Sequence, residues 1–257
     1  MINKLNGIIL LIIRLPILLL LILFGLIVII FFPKNIHSFK SIHFKIMMVW
    51  MDFLAKLLGI KTIIQGEIDN SAHLYVSNHV TYLDIIVINR LIPVNFIAKD
   101  EISNWPIIGS LASKTGTLFI KRGNNIESDK MIDEMQVRFS LNNKIIFFPE
   151  GKIGNGKVIK KFHSKLFKSI ENKNISIQPF AIRYPKDFPV DTNYSEKIST
   201  KSEKGMMLSL YLDFMMKPKS YVILDFIDKV DAQDIDSESL SNLVADRINK
   251  KLSELDS

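Results

Sequence analysis

The spacing of apolar and polar positions divides the chain into three parts. From Leu15 to Phe32 it reads LPILLLLILFGLIVIIFF, eighteen residues without a charge, closed by Pro33 and Lys34. A second apolar run, Gly7–Ile13, precedes it, with Arg14 between the two. Eighteen helical residues span about 27 Å, close to the hydrocarbon thickness of a bilayer. The run has no polar face, so it predicts a membrane helix rather than a core helix. A cleavable signal peptide does not fit, because no alanine occurs before Ala55 to supply an A-x-A cleavage site. Arg14 is tolerable near an interface, where its long side chain can snorkel.

Residues 41–60, SIHFKIMMVWMDFLAKLLGI, carry Lys45, Asp52 and Lys56 at helical spacing, with Ile46, Met47, Trp50, Leu54, Leu57 and Leu58 over the remainder. This pattern predicts a helix, either packed on a soluble core or lying in the membrane surface with Trp50 at the headgroup level. Downstream, short β-rich runs recur at 61–68, 73–77, 95–98, 117–121, 144–148, 175–182 and 221–226. Segments of helical character lie between them at 82–91, 106–114, 128–141 and 161–170. Such alternation predicts an α/β fold, a largely parallel or mixed sheet flanked by helices. Leu240, Leu243, Val244, Ile248 and Leu252 predict a closing amphipathic helix over 237–252. Residues 151–157 and 184–205 read as loops. The expected organisation is a membrane anchor over 1–40 and an α/β domain over 41–257.

Composition narrows the chemistry. The 257 residues include no cysteine, which excludes disulfide scaffolds, thiol nucleophiles and cysteine-ligated zinc. The net charge of +7 is unevenly placed. Residues 1–50 hold five basic residues and no acid, 151–174 hold seven lysines against Glu171, and 225–257 hold nine acids against four basic residues. Cations flanking an apolar anchor favour anionic lipid over nucleic acid as a partner. More cations follow the apolar run than precede it, which favours a cytoplasmic C-terminal domain. The lysine run is a solvated face, or a landing site for anionic headgroups or an acidic acyl carrier protein. His37, His43, His73 and His163 have no companion ligands and suggest no metal.

Four segments could carry a reaction. Asn78-His79-Val80-Thr81-Tyr82-Leu83-Asp84 follows the strand-like LYVS, and loops leaving strand ends are where open α/β sheets bind ligands. Histidine suits proton removal near neutrality, and a carboxylate can fix its tautomer. Positions i and i+5 lie about 140° apart on a continuous helix, so the two side chains meet only across a strand-to-helix turn. Gly116-Thr117-Leu118-Phe119-Ile120-Lys121-Arg122 ends in a guanidinium fork suited to phosphate or carboxylate. In Phe147-Phe148-Pro149-Glu150-Gly151, Pro149 stops a strand and sets Glu150 at its end, where it can accept from a hydroxyl or order a basic group. The apolar run Ile175–Phe180 is broken by Pro179.

In this order, the four segments resemble those of the 1-acylglycerol-3-phosphate acyltransferase family of glycerolipid acyltransferases, over roughly residues 70–185. The connection NFIAKDEISNWPIIGSLASKTGTLFIKR (95–122) adds to the likeness. The resemblance implies a bacterial inner-membrane enzyme that moves a fatty acyl group from acyl-CoA or acyl-acyl carrier protein to a lysophospholipid hydroxyl, with no bound cofactor. It implies His79 as general base, oriented by Asp84. Arg122, with Gly116, would bind acceptor phosphate, Glu150 and Gly151 would complete the acceptor site, and Pro179 would shape a pocket. After Gly151 the chain departs from the family's Thr-Arg-Ser and reads Lys152-Ile153-Gly154. Lys152 can replace the arginine only as a point charge. That change, with Gly156, Val158, Phe162, Leu166-Phe167 and Gln178, looks closer to the subgroup acylating lyso-ornithine lipid. Phosphatidic acid synthesis is the first expectation and lyso-ornithine acylation the second. A non-catalytic lipid-binding protein is the third. The absent cysteine and absent G-x-S-x-G elbow fit direct transfer without a protein nucleophile.

Overall fold

The structure is a computed structural model that describes residues 4–33, 39–121, 125–159, 161–171 and 173–254. In chain order its elements are α1 (Lys4–Val28), α2 (Ser41–Leu57), β1 (Ile60–Gln65), β2 (Leu74–Ser77), α3 (Leu83–Asn89) and β3 (Val94–Lys99). There follow α4 (Ile108–Lys114), β4 (Leu118–Ile120), α5 (Asn125–Ser140), β5 (Lys144–Phe147) and β6 (Ser176–Arg183). A hairpin of β7 (Pro185–Asp187) and β8 (Asp191–Tyr194) leads into α6 (Glu196–Glu203) and α7 (Met207–Met215). The chain closes with β9 (Ser220–Phe226), β10 (Val230–Asp231) and α8 (Ser237–Glu254).

The main sheet has the order β1-β9-β6-β2-β5-β3-β4, with β10 paired to β6. Pairing is parallel from β6 through β2, β5 and β3 to β4, whereas β9 meets β6 antiparallel. This is the mixed sheet flanked by helices that the alternation predicts. Side chains alternate across it as a strand period of two requires. Tyr75, Ile146, Phe180 and Ile182 join one core layer beneath α2, α3 and α7. Leu74, Val76, Ile145, Phe147 and Ile177 join the other, beneath α5 and α8.

The N-terminal apolar helix packs onto the domain. The helical segment Lys4–Phe31 is long and apolar enough to cross a membrane, and most of it is exposed. It is nevertheless held at two places along its length. The Arg14 guanidinium donates to the carbonyls of Met215 (3.0 Å), Lys217 (2.5 Å) and Pro218 (3.3 Å). It therefore covers the C-terminal end of α7, where unsatisfied carbonyls favour a cation. The Trp50 indole N–H donates to the Leu21 carbonyl at 3.0 Å. A β-carbon on Gly25 would lie 3.0 Å from that indole, so a larger residue there would push α1 and α2 apart. The expected helix forms as α2, and Trp50 packs against α1 through the bond to Leu21. Met47, Leu54 and Ala55 are buried, while Ile42, Val49 and Phe53 face outward.

Two expectations fail. Residues 161–170 do not form an α-helix; only a short 3-10 stretch, Ser164–Ser169, is present. The His163 amide is committed to the Pro149 carbonyl at 2.9 Å, and Phe162, Phe167 and Ile170 are drawn into the α5/α8 layer. Residues 184–205 are not a loop, since they contain the β7–β8 hairpin and α6. The sequence of α6 looks loop-like because two of its three buried residues, Ser199 and Ser202, are small and polar, with Ile198 the one apolar member.

Candidate active site

Three neighbouring parallel strands, β6, β2 and β5, present their carboxyl ends at one edge of the sheet. The segment after β2 carries His79 and Asp84, the one after β5 carries Glu150, and Tyr184 follows β6. Asn78 fastens the first of these. Its side-chain amide donates to the Ile182 carbonyl (3.0 Å) and accepts from the Ile182 amide (2.8 Å), imitating one more residue of strand pairing.

The turn then brings His79 onto Asp84, with Nδ1 to Oδ2 at 2.8 Å. The same oxygen accepts the amides of Val80 (2.8 Å) and Thr81 (3.1 Å). The other oxygen accepts the Tyr184 hydroxyl at 2.8 Å. Asp84 is fully buried and so receives four hydrogen bonds, the condition under which a buried carboxylate is tolerable. Because the ring's Nδ1 is occupied by the carboxylate, Nε2 is the nitrogen left to accept a proton. The imidazole lies flat on Phe148, centroids 4.1 Å apart and planes 7° from parallel. Its side chain remains 17% exposed, enough for a substrate hydroxyl to reach.

Glu150 adds a second carboxylate, whose Oε1 accepts the His79 amide at 3.0 Å. Burial pushes its carboxyl above the usual range, opposed by that hydrogen bond and by the nearby His79 and Lys152. A carboxyl whose folded value is raised binds its proton more readily folded than unfolded, so stability falls as pH rises above the ordinary value of 4.5. Glu150→Gln keeps the acceptor and removes the charge. Its midpoint of thermal unfolding is expected to exceed that of the unaltered protein at pH 7, with the gain vanishing as pH falls toward 4.5. Unfolding curves at the two pH values check this; a pH-independent difference would contradict it.

The remaining candidates are dispersed. Gly151, at φ +68°, makes the turn after Glu150 and lines a cavity of about 290 Å³ with Ile120, Phe148, Pro149, His163 and Lys165. Lys152 is exposed beside it. Gly116 has φ +87°, a left-handed conformation that favours glycine, and lies before β4, at the sheet edge opposite His79. Pro179 sits inside β6, paired with Val76, and accepts from the Ile227 amide at 3.0 Å. Arg122 lies outside the described residues.

A larger cavity, about 600 Å³, opens between α1, α2, α3, α4 and α7 and is bordered by Trp50, Ile85, Phe96, Trp105 and Tyr211. It is overwhelmingly apolar. Tyr82 and Ile85, either side of Asp84 in sequence, border it, and Phe96 bridges toward Phe148 at 6.3 Å between centroids. The His79–Asp84 pair and a volume suited to an alkyl chain thus share a wall. Sequence reasoning missed Tyr184, which sits in a stretch read as a loop, 100 residues from its partner. It also missed Ser202, which donates to the Thr81 hydroxyl at 2.8 Å. Neither residue carries a local signal.

An acyltransferase family model matches residues 59–183. A lyso-ornithine lipid O-acyltransferase of Pseudomonas aeruginosa is 34% identical over 138 residues, covering 54% of this chain and 53% of that protein. The match therefore spans about half the length of that relative. One of the same name from Rhizobium meliloti is 26% identical over 216 residues, 80% of this chain and 74% of its own. A 1-acyl-sn-glycerol-3-phosphate acyltransferase of Neisseria meningitidis is 27% identical over 182 residues, 67% of this chain and 69% of its own. The crystal structure of the 1-acyl-sn-glycerophosphate acyltransferase PlsC from Thermotoga maritima superposes with a TM-score of 0.68 at 16% identity, covering 100% of this chain and 98% of that one. That likeness establishes the fold.

Proposed function

We propose that the protein is a membrane-bound enzyme that moves a fatty acyl group from a thioester to the free hydroxyl of a lysolipid, a reading supported by the acyltransferase family model that matches residues 59–183. The observation that carries this reading is the His79–Asp84 pair, 2.8 Å apart at a strand end and beside an apolar cavity of about 600 Å³. In the reaction, His79 Nε2 takes the hydroxyl proton while the acceptor oxygen attacks the thioester carbonyl. Asp84 stabilises the imidazolium that forms. The tetrahedral intermediate collapses with C–S cleavage, and the imidazolium returns its proton to the departing thiolate. A C–O bond replaces a C–S bond, and no protein nucleophile is needed. Acyl-CoA and acyl-acyl carrier protein both supply the required thioester. The exposed apolar surface of α1 holds the enzyme at the bilayer that stores acceptor and product, with the domain on the cytoplasmic side of a bacterial inner membrane.

For the acceptor, 1-acyl-sn-glycerol 3-phosphate is the first reading, since the ordered segments and the Neisseria relative share it. Lyso-ornithine lipid is the second. It is favoured by Lys152 standing after Gly151 in place of the family's arginine, a point charge without the bidentate fork that phosphate prefers, and by the names of two relatives. Membranes containing the protein, given labelled acyl-CoA and equal amounts of both acceptors, are expected to label phosphatidic acid. Label confined to ornithine lipid would establish the second reading, and lipid binding without any label would mark a non-catalytic protein.

A further inference from the structure

The segment after β5 grips His79 by its backbone from both sides. The Glu150 carboxylate accepts the His79 amide proton at 3.0 Å. Four residues later the Gly154 amide donates to the His79 carbonyl at 2.7 Å. The peptide groups flanking the base are thus fixed by one loop, while Asp84 fixes the ring. The two halves of the grip also depend on each other. A β-carbon on Gly154 would stand 2.6 Å from Glu150 Oε2 and 3.3 Å from the carboxyl carbon. A side chain at 154 would crowd Oε2 and force the carboxylate, whose Oε1 meets His79, to turn or shift.

We propose that Glu150 is a positioning residue that holds the backbone of His79, and that Gly154 is the residue whose missing side chain admits its carboxylate. The proposal rests on the acyl-transfer reading and changes what Glu150 does within it. If Glu150 were chiefly a ligand of the acceptor, its removal would weaken acceptor binding. As a positioning residue, it acts on the rate at which bound acceptor is deprotonated. A misplacement of about 1 Å is enough to cost on the order of 100-fold in rate. The altered residues after Gly151 acquire a purpose as well. Glycine at 154 gives the carboxylate room that serine or any larger residue would take.

Four variants test this: Glu150→Ala, Glu150→Gln, Gly154→Ala and the double variant Glu150→Ala/Gly154→Ala. Glu150→Ala and Gly154→Ala are each expected to lower kcat on the order of 10- to 100-fold, with acceptor KM changed by less than about 3-fold. Glu150→Gln keeps an oxygen for the His79 amide and should recover most of that loss. The double variant should be no slower than Glu150→Ala, because the crowding at 154 disappears with the carboxylate. A rise in acceptor KM with kcat unchanged, or equal damage from Gln and Ala, would overturn the proposal. Multiplying losses in the double variant would do the same.

A second readout needs no turnover. In histidine-selective ¹⁵N-labelled protein in micelles, the His79 amide is assigned by its disappearance in His79→Gln. It should be protected from solvent exchange in the unaltered protein and in Glu150→Gln, and released in Glu150→Ala and Gly154→Ala. Equal protection in all four would refute the grip. Absence of acyl transfer on every acceptor would instead remove the proposed function, and the amide signal would still decide the grip.

Discussion

His79→Ala is expected to lower acyl transfer by about 10²- to 10⁴-fold, the range a general base contributes. The loss should fall on kcat, because the hydroxyl can still enter the site but nothing there accepts its proton. Folding should be little affected. The imidazole lies over Phe148 at the mouth, and Asp84 keeps three other donors, the amides of Val80 and Thr81 and the Tyr184 hydroxyl. Steady-state kinetics beside a thermal unfolding curve checks both halves. Turnover within a few-fold of the unaltered protein would remove His79 from the role of base.

Replacing Asp84 should have two effects that its neighbours separate. In Asp84→Asn one end of the side chain becomes a donor. Oδ2 faces three donors and Oδ1 faces only Tyr184, whose hydroxyl can turn and accept. The amide nitrogen therefore takes the Tyr184 side, and the carbonyl continues to hold His79 Nδ1. Geometry and tautomer survive, while the charge that stabilises the imidazolium is lost. Turnover should fall on the order of 100-fold or more, with a small change in the unfolding midpoint. Asp84→Ala leaves the Tyr184 hydroxyl and two amides unsatisfied in a buried site, at about 1–3 kcal/mol each. It should lower both activity and stability. Equal stability of the Asn and Ala variants would show that the four hydrogen bonds are not what holds the turn.

Much of the architecture is written in local pattern. The strands at 74–77, 94–99, 144–147, 176–183 and 220–226 are largely apolar runs a few residues from their expected limits, as buried strands demand, whereas the edge strand at 60–65 buries only Ile60. His79 and Asp84 could be paired on paper, since a strand-to-helix turn is the geometry that lets i and i+5 meet. The 161–170 segment and α6 were misread for opposite reasons. The first has helix-forming composition, but its amide at His163 is already committed to Pro149. The second is polar enough to resemble a loop, yet buries serines that bond inward, as Ser202 does to Thr81. Contacts between distant positions leave no trace in spacing. Tyr184 with Asp84, Arg14 with the end of α7, and Glu150 with the backbone of His79 are of this kind. Arg14 shows how such a contact changes meaning, for a residue expected at a membrane interface also ties α1 to the domain.

The central claim is that His79 directs an acyl group from a thioester to a lipid hydroxyl instead of to water. Its most direct test counts both products of one reaction: thiol released from a labelled acyl thioester, and label appearing in ester-linked lipid, with lysolipid acceptor present. One mole of new lipid ester per mole of thiol is expected, with both lost together in His79→Ala. Thiol release that yields free fatty acid, or that continues undiminished without the acceptor, would contradict it.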